Sequence, residues 1–172
     1  MPLLDFDYAY FDLGRIQDMA IAPRQNLDSE FDTPQASPGF LLWYTTNRWQ
    51  ASQRAALRPF GLTHVQFVAL ASLVWLKNKR VINQRDLASF ASIDPMMTSQ
   101  VLRSLEAKNL IVRSQDPLDK RAWLLSATEA GTELANQAIV AVERCDEEFF
   151  SRLIDVEAFV EQLKALSAIE EA

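Results

Sequence analysis

Residues 83–121 have the sequence NQRDLASFASIDPMMTSQVLRSLEAKNLIVRSQDPLDKR. Asn83 and Asp94 each precede a helix-forming run, and a proline follows Asp94 directly. A short polar residue and then proline are typical of a helix N-terminus. We predict one helix over residues 84–90 and a second over residues 95–108. Because only a few residues separate the two helices, the pair has the spacing of a helix-turn-helix.

A hairpin follows the second helix. Residues 110–113 and 122–126 are β-prone, and the polar sequence SQDPLDKR joins them. Residues 81–82 are a candidate for a very short additional strand. The order of helix, turn, helix and hairpin is that of a winged helix-turn-helix, whose second helix enters the DNA major groove. The predicted fold is mainly α-helical, with a two-stranded β wing.

The tip of the predicted wing is basic. Pro117 stiffens the turn, and Lys120 and Arg121 follow it. An arginine on a projecting wing suits the negative potential of a narrow minor groove, so we predict DNA contacts from both cations. Asp119 is too acidic to face phosphate and is predicted to orient Arg121 through a charge-assisted hydrogen bond. The alternative is a solvated turn with a weak surface ion pair.

Helical periodicity sorts the side chains of residues 95–108 into two faces. The predicted inward face carries Thr98, Val101, Leu102 and Leu105. The opposite face, predicted to meet DNA, carries Pro95, Met96, Ser99, Gln100 and Arg103.

The residue types on the opposite face are those that read bases. Glutamine can pair with adenine and arginine with guanine, and methionine or a proline ring can touch a thymine methyl. We predict base contacts from Ser99 and Gln100, and a base or phosphate contact from Arg103. The alternative is an exposed helix with incidental polar residues, because helix-turn-helix pairs also occur in domains that bind no DNA.

The remaining sequence is assigned to an arm and to flanking helices. Residues 1–37 form an acidic, aromatic arm, and residues 38–60 form a helix that Ser37 and a following proline begin. Residues 61–127 form the winged lobe, which opens with the capping-box spacing Thr63-His64-Val65-Gln66. An almost wholly apolar helix follows and is predicted to be central; the apolar residues at helical spacing on it are Phe67, Leu70, Ala71, Val74 and Trp75. Residues 128–172 form two acidic helices with apolar stripes that suit packing against a partner helix.

Composition narrows the function further. The chain has one His, four Gly and one Cys, too little for a phosphate-cradling loop, a His metal cluster or a His-based triad. We therefore predict no enzyme, no cofactor and no metal site. Residues 38–121 hold twelve basic and five acidic side chains, a net charge of +7, while the whole chain has −6. That asymmetry favours a localised anion-binding surface.

Two features bear on location. No run approaches the eighteen apolar residues of a membrane span, and the acidic N-terminus does not fit a signal peptide. The single Cys145 cannot form an internal disulfide, which fits a reducing compartment. We therefore predict a cytoplasmic protein with no membrane partner.

Several motifs carry a family resemblance. They are GLTHVQF at residues 61–67, Leu87-Ala88, residues 94–106, LEAKNLI at residues 105–111, Asp116-Pro117-x-Asp119-x-Arg121 and Thr128-x-x-Gly131. In combination they resemble the MarR-type (multiple antibiotic resistance regulator) transcription factors over residues 38–152. The acidic arm is longer than the usual family start. Asn109 replaces the common Gly at a helix end, although Asn tolerates the same left-handed geometry.

The resemblance implies an architecture and a partner. It implies a homodimer with interlocking N- and C-terminal helices, in which two winged lobes bind double-stranded DNA at a pseudo-palindromic operator. It also implies that Arg121 probes the minor groove. The predicted function is a DNA-binding regulator, taken as a repressor. The alternative is a protein-interaction module that uses the winged lobe and the acidic arm without sequence-specific DNA binding.

The resemblance also implies a small-molecule effector, often aromatic or anionic, bound between the dimerisation and DNA-binding parts. An aromatic wall with cationic donors suits a carboxylate or phenolate. The alternative is that the aromatic side chains are ordinary core. The candidate residues are Trp43, Tyr44, Asn47, Arg48, His64 and Phe67.

Overall fold

The computed structural model describes residues 28–76, 82–116 and 123–167. The chain divides after Ala51, within α1, into two compact units. Short 3-10 turns, Pro34–Ala36 and Arg58–Phe60, flank α1. The helices and strands, in chain order, are α1 (Pro38–Leu57), α2 (His64–Leu76), β1 (Ile82–Asn83), α3 (Gln84–Phe90), α4 (Pro95–Ala107), β2 (Ile111–Gln115), β3 (Trp123–Ala127), α5 (Glu129–Phe150) and α6 (Val156–Ser167).

Side-chain caps begin the helices where the sequence predicts them. Thr63 Oγ1 accepts from the Gln66 N–H at 3.3 Å, while Gln66 Oε1 accepts from the Thr63 N–H at 3.2 Å. Asn83 and Asp86 make the same reciprocal pair at the start of α3. These bonds satisfy backbone donors that a helix leaves without an internal partner. The predicted cap at Asn83 is confirmed, and its reciprocal partner is an additional finding.

Helix α2 lies at the centre of the unit that follows Ala51. It packs against α3, α4, α5 and β3, and its buried residues include Phe67, Leu70 and Leu73. The predicted central position is confirmed. Trp75 is the exception, because its side chain is 72% exposed although the sequence places it on the apolar stripe. At 100° per residue, Trp75 falls on the side of α2 that Val68 shares, which is only partly buried.

The wing strands belong to a three-stranded antiparallel sheet in the order β1-β3-β2. Leu125 of β3 pairs with Ile82 on one side and with Arg113 on the other. The two predicted wing strands are confirmed, and each begins and ends later in the sequence than predicted. Strand β2 continues to Gln115, and β3 continues to Ala127. The predicted short strand at residues 81–82 is observed at Ile82–Asn83, and residue 81 lies outside the described residues.

The connection from α4 to the sheet and the start of α5 meet closely. Asn109 has φ +57°, the left-handed geometry expected there. The Thr128 N–H donates to the Leu110 carbonyl at 3.0 Å. Thr128 Oγ1 donates to the Asn109 carbonyl and accepts from the Gly131 N–H, both at 2.9 Å. A Cβ on Gly131 would overlap the Leu110 carbonyl oxygen, so only glycine lets the two backbones approach this closely.

Within the ranges described, no single helix is long and apolar enough to cross a membrane. The consecutive segments Pro38–Phe60 and His64–Leu76 reach the necessary length and composition only when they are taken together across the bend between them. The second of these segments is the largely buried α2, and the core helix of a globular domain has the same composition.

Gly131→Ala is expected to lower the free energy of unfolding by about 1–3 kcal/mol or more, because the added methyl group must displace the Leu110 backbone. Urea denaturation followed by circular dichroism measures this loss. Gly39→Ala is the matched control, since a Cβ there meets only Ser37 Oγ at 4.0 Å and alanine favours the helix. Equal stability of the two variants would contradict the close backbone approach.

Candidate nucleic-acid interface

Helix α4 has one buried face and one exposed face. Thr98, Val101, Leu102 and Leu105 are all buried, so the predicted inward face is confirmed. On the other face, Met96 is 74% exposed, and Pro95, Gln100 and Arg103 are exposed as well. The structure therefore brings these four candidate DNA contacts together on one solvent-facing surface, which we call the α4 surface.

Asp94 fixes the first turn of α4. Its Oδ1 accepts from the N–H groups of Met96 and Met97 at 2.9 and 3.1 Å, which confirms the predicted cap. The Asp94 carbonyl also accepts from Thr98 Oγ1 at 2.8 Å. The buried Thr98 hydroxyl is therefore satisfied inside the helix. The first turn of α4, which carries Met96, is therefore held by both the side chain and the backbone carbonyl of Asp94.

Ser99 is the predicted base-reading residue that is least accessible. Its side chain is half-buried, and its hydroxyl makes two internal hydrogen bonds. Ser99 Oγ accepts from Gln84 Nε2 at 2.6 Å and donates to the Pro95 carbonyl at 3.2 Å. Gln84 Oε1 in turn accepts from the Arg113 guanidinium at 3.4 Å. Ser99 is therefore part of a polar chain that leads into strand β2.

The C-terminal half of α4 is held by Gln66 of α2. Gln66 Nε2 donates to Ser104 Oγ at 2.9 Å, and Gln66 Oε1 accepts from Lys108 Nζ at 3.0 Å. Lys108 Nζ also donates to the Gly61 carbonyl at 2.7 Å. Gln66 therefore caps its own helix and also anchors the C-terminal end of α4 to α2.

The predicted wing contacts lie outside the described residues. Asp119, Lys120 and Arg121 fall in the segment 117–122, which joins β2 to β3. The flanking strands are paired up to Gln115 and Trp123. The roles of Asp119, Lys120 and Arg121 therefore stay predictions.

Four of the predicted effector residues lie on α1, in the unit that ends at Ala51. Trp43 is 63% exposed, and its carbonyl accepts from Asn47 Nδ2 at 2.7 Å. The Arg48 guanidinium carbon lies 5.8 Å from the centre of the Tyr44 ring. This distance is within the range of a cation–π contact. Asn47 therefore contacts the Trp43 backbone and Arg48 contacts the Tyr44 ring, each one turn apart along α1.

The other two predicted effector residues lie in the unit that begins at Ser52. Phe67 is buried in the hydrophobic core, which is where the alternative interpretation of the aromatic residues places it. His64 is half-buried. Burial lowers the pKa of His64; the Asp146 carboxylate opposes this shift and Arg54 adds to it. His64 is therefore held toward its neutral form.

A polar contact near His64 joins the C-terminal part of α1 to α5. The fully buried Gln53 donates from Nε2 to Asp146 Oδ1 at 2.6 Å. Its other amide atom, Oε1, is buried with no hydrogen-bond partner in the described structure. Cys145, the residue before Asp146, is a free thiol whose pKa is raised by burial and then by Asp146 and Glu148. The thiol therefore stays protonated, in line with the structural role that its acidic neighbours predict.

Sequence reasoning missed Gln84, Arg113, Gln53 and Asp146. Gln84 follows the predicted cap Asn83 directly, and Arg113 lies in a predicted strand, but neither position by itself indicates a partner. Gln53 and Asp146 are 93 residues apart. The part of the chain that the structure describes contains no group of three His, Cys, Asp or Glu side chains that could hold a metal ion.

Residues 62–123 match the MarR family model. The uncharacterized HTH-type transcriptional regulator YdcH of Bacillus subtilis is 45% identical over 139 residues, which are 80% of this chain and 95% of YdcH. An HTH-type transcriptional repressor of Mycobacterium tuberculosis is 30% identical over 115 residues, 67% of this chain and 81% of the repressor.

Among solved structures, the chain is similar to BpsR of Bordetella bronchiseptica, whose DNA binding is regulated by 6-hydroxynicotinic acid. The TM-score is 0.71 at 26% sequence identity, and the match covers 86% of this chain and 100% of BpsR.

His64 is the one histidine of the chain, so its imidazole proton resonances can be followed by NMR without ambiguity. We expect it to titrate below the ordinary value of about 6.5, because burial disfavours the imidazolium. Asp146→Asn should lower the pKa of His64 further, and Arg54→Gln should raise it. At pH values below 6.5 the unfolded chain binds more protons at position 64 than the folded chain does. The free energy of unfolding should therefore fall as the pH is lowered from 6.5 through the pKa of His64 in the folded protein. A pKa of His64 at or above 6.5 in the wild type would contradict this account.

Proposed function

The chain belongs to the MarR family of HTH transcriptional regulators, and from this premise we propose that it acts as a homodimeric repressor in the cytoplasm. It binds a pseudo-palindromic operator and leaves it when a small aromatic or anionic effector binds. Members of the family are DNA-binding proteins and not enzymes, and this chain is one of them.

The observation that carries the proposal is the exposed α4 surface. Gln100 and Arg103 offer hydrogen-bond donors and acceptors for base edges, and Pro95 and Met96 offer apolar contact with a thymine methyl. No partner inside the described residues covers this surface, while the opposite face of α4 is buried in the core. Lys120 and Arg121 on the wing complete the proposed interface, with Asp119 orienting Arg121.

The charge distribution supports a polyanionic partner at this place. The net charge of +7 in residues 38–121 includes the HTH segment and the wing, and the C-terminal segment 122–172 carries eleven acidic and three basic side chains. Acidic side chains away from the proposed interface limit non-specific adhesion to DNA. The overall negative charge therefore does not oppose DNA binding at the lobe.

An uncovered apolar stripe supports the homodimer. Val156, Val160, Leu163 and Leu166 recur at helical spacing on α6 and are 38–78% exposed, and no residue of α6 is buried. An amphipathic helix of this kind gains its stability by packing its apolar face. A second copy of the chain, contributing its own α6, is the partner that we propose for it.

The proposed effector follows from the chemistry of the side chains on α1. They offer the Tyr44 ring, the Arg48 cation and the Asn47 amide. A hydroxylated aromatic acid fits such groups, and the regulation of BpsR by 6-hydroxynicotinic acid supports this class of effector. Addition of such acids to the operator complex tests this part of the proposal, with dissociation as the supporting result.

Selection of bound fragments from genomic DNA supplies the operator, and variants then test the α4 surface. Gln100→Ala, Arg103→Ala and Arg121→Ala should each weaken operator binding by about 1–3 kcal/mol, because each removes a contact to DNA. Fluorescence anisotropy at fixed salt measures the loss.

Arg144→Ala is the matched control for the two arginine variants, since it removes the same charge from an exposed position on α5. It should leave operator affinity nearly unchanged. If Arg144→Ala weakened binding as much as Arg103→Ala, the loss would reflect net charge and the α4 surface would not be the reading surface.

Leu163→Glu should convert the dimer to a monomer, because it places a charge in the apolar stripe of α6. Sedimentation velocity at micromolar concentration measures the change. Ala165→Glu adds the same charge on the opposite side of α6 and should leave the dimer intact. A wild-type protein that sediments as a monomer would overturn the proposed homodimer.

A further inference from the structure

The side chain of Gln84, at the start of α3, bridges two parts of the lobe that the proposed function assigns to DNA. On one side Gln84 Nε2 donates to Ser99 Oγ of α4 at 2.6 Å. On the other side Gln84 Oε1 accepts from the Arg113 guanidinium of β2 at 3.4 Å. Strand β2 leads within a few residues into the wing tip, so this one amide lies between the recognition helix and the wing strand.

The direction of every bond in this chain is fixed by the groups that make it. Arg113 can only donate, so it must meet the amide oxygen of Gln84, and the amide nitrogen is then left for Ser99. Ser99 accepts from Gln84 and directs its own proton to the Pro95 carbonyl at 3.2 Å. A methionine of similar shape at position 84 cannot donate to Ser99, and its sulfur is only a weak acceptor for Arg113.

Arg113 also contacts α4 directly. Its Nε lies 3.7 Å from Glu106 Oε2, and this nitrogen is buried with no hydrogen-bond partner among the residues described. Glu106 is seven residues after Ser99, about 10 Å further along the helix axis. Arg113 is therefore linked to α4 at two separated points. It contacts Glu106 directly, and it reaches Ser99 through the Gln84 amide.

We propose that Gln84 is a positioning residue of the DNA-binding surface, whose amide fixes recognition helix α4 against wing strand β2. Ser99 serves this bridge and does not read a base. The inference rests on the proposed function in that it takes α4 and the wing as the DNA-contacting elements.

The bridge matters for specific binding more than for non-specific binding. Base edges are read by short, directional hydrogen bonds, and the helix and the wing must reach their grooves together. Phosphate contacts are electrostatic and tolerate small shifts of the protein on the duplex. Loss of the bridge should therefore lower the ratio of specific to non-specific affinity, while a general loss of folding would lower both affinities together.

A double-mutant cycle tests the proposal. Gln84→Met and Ser99→Ala, alone and combined, are compared with the wild type in binding to the selected operator and to a random duplex. We expect each single variant to lose about tenfold in operator affinity and about twofold or less on the random duplex. The double variant should lose about tenfold in total, no more than either single variant, because both changes break the same bond.

Two additional measurements distinguish a positioning role of Gln84 in DNA binding from a contribution to folding alone. Gln84→Glu should keep most of the affinity ratio, because its carboxylate can accept from Arg113 and from the Ser99 hydroxyl. The same cycle in urea unfolding should show coupling between Gln84 and Ser99 in the free protein. As a control, Asn136→Ala and Gln137→Met, exposed neighbours on α5, should show no coupling.

The outcomes are distinct. Losses that multiply to about a hundredfold, or a Ser99→Ala effect confined to one operator position, would overturn the proposal and make Ser99 a base reader. Equal losses on both duplexes would also overturn it. If the wild type prefers no duplex, the proposed function fails and the positioning role fails with it, while the unfolding cycle still reports whether the bridge exists.

Discussion

The burial of one face of α4 is the constraint on which the proposed DNA-binding surface depends. Val101, Leu102 and Leu105 pack into the core, and burial of each such side chain contributes about 1.5–3 kcal/mol. Turning the helix by one residue would move these side chains by 100° and expose them. The core therefore determines which side chains face solvent, and Gln100 and Arg103 are presented because they lie opposite Leu102 and Leu105.

Apolar packing fixes the rotation of α4 but leaves its position and tilt less well determined, and polar contacts supply the rest. Gln66 holds the last turns through Ser104 and Lys108, and Gln84 binds Ser99 in the second turn of the helix. Directional bonds at separated points constrain a helix in a way that non-directional burial does not. The two kinds of interaction therefore set different degrees of freedom of the same element.

The features that sequence predicted are local, and those it missed are not. Caps at Asn83 and Asp94 and the inward face of α4 follow from rules that span three or four residues. The bond between Gln84 and Ser99 joins residues 15 apart, and the bond to Arg113 joins residues 29 apart. Periodicity placed Ser99 on the exposed face of α4. The periodicity of a sequence gives the angle of a side chain around the helix axis, but it does not show which neighbouring element covers that side of the helix. Trp75 was misplaced for the converse reason, since its side of α2 is covered only in part.

Helix α5 connects the wing junction to the polar contact at Gln53. Its first turn is pinned to Leu110 by Thr128 and by the close approach of Gly131. Fifteen residues later, about 22 Å along the axis, Asp146 binds the buried Gln53. A shift of α5 along its axis would therefore disturb both contacts. The wing junction and the buried Gln53 are therefore joined by one continuous helix.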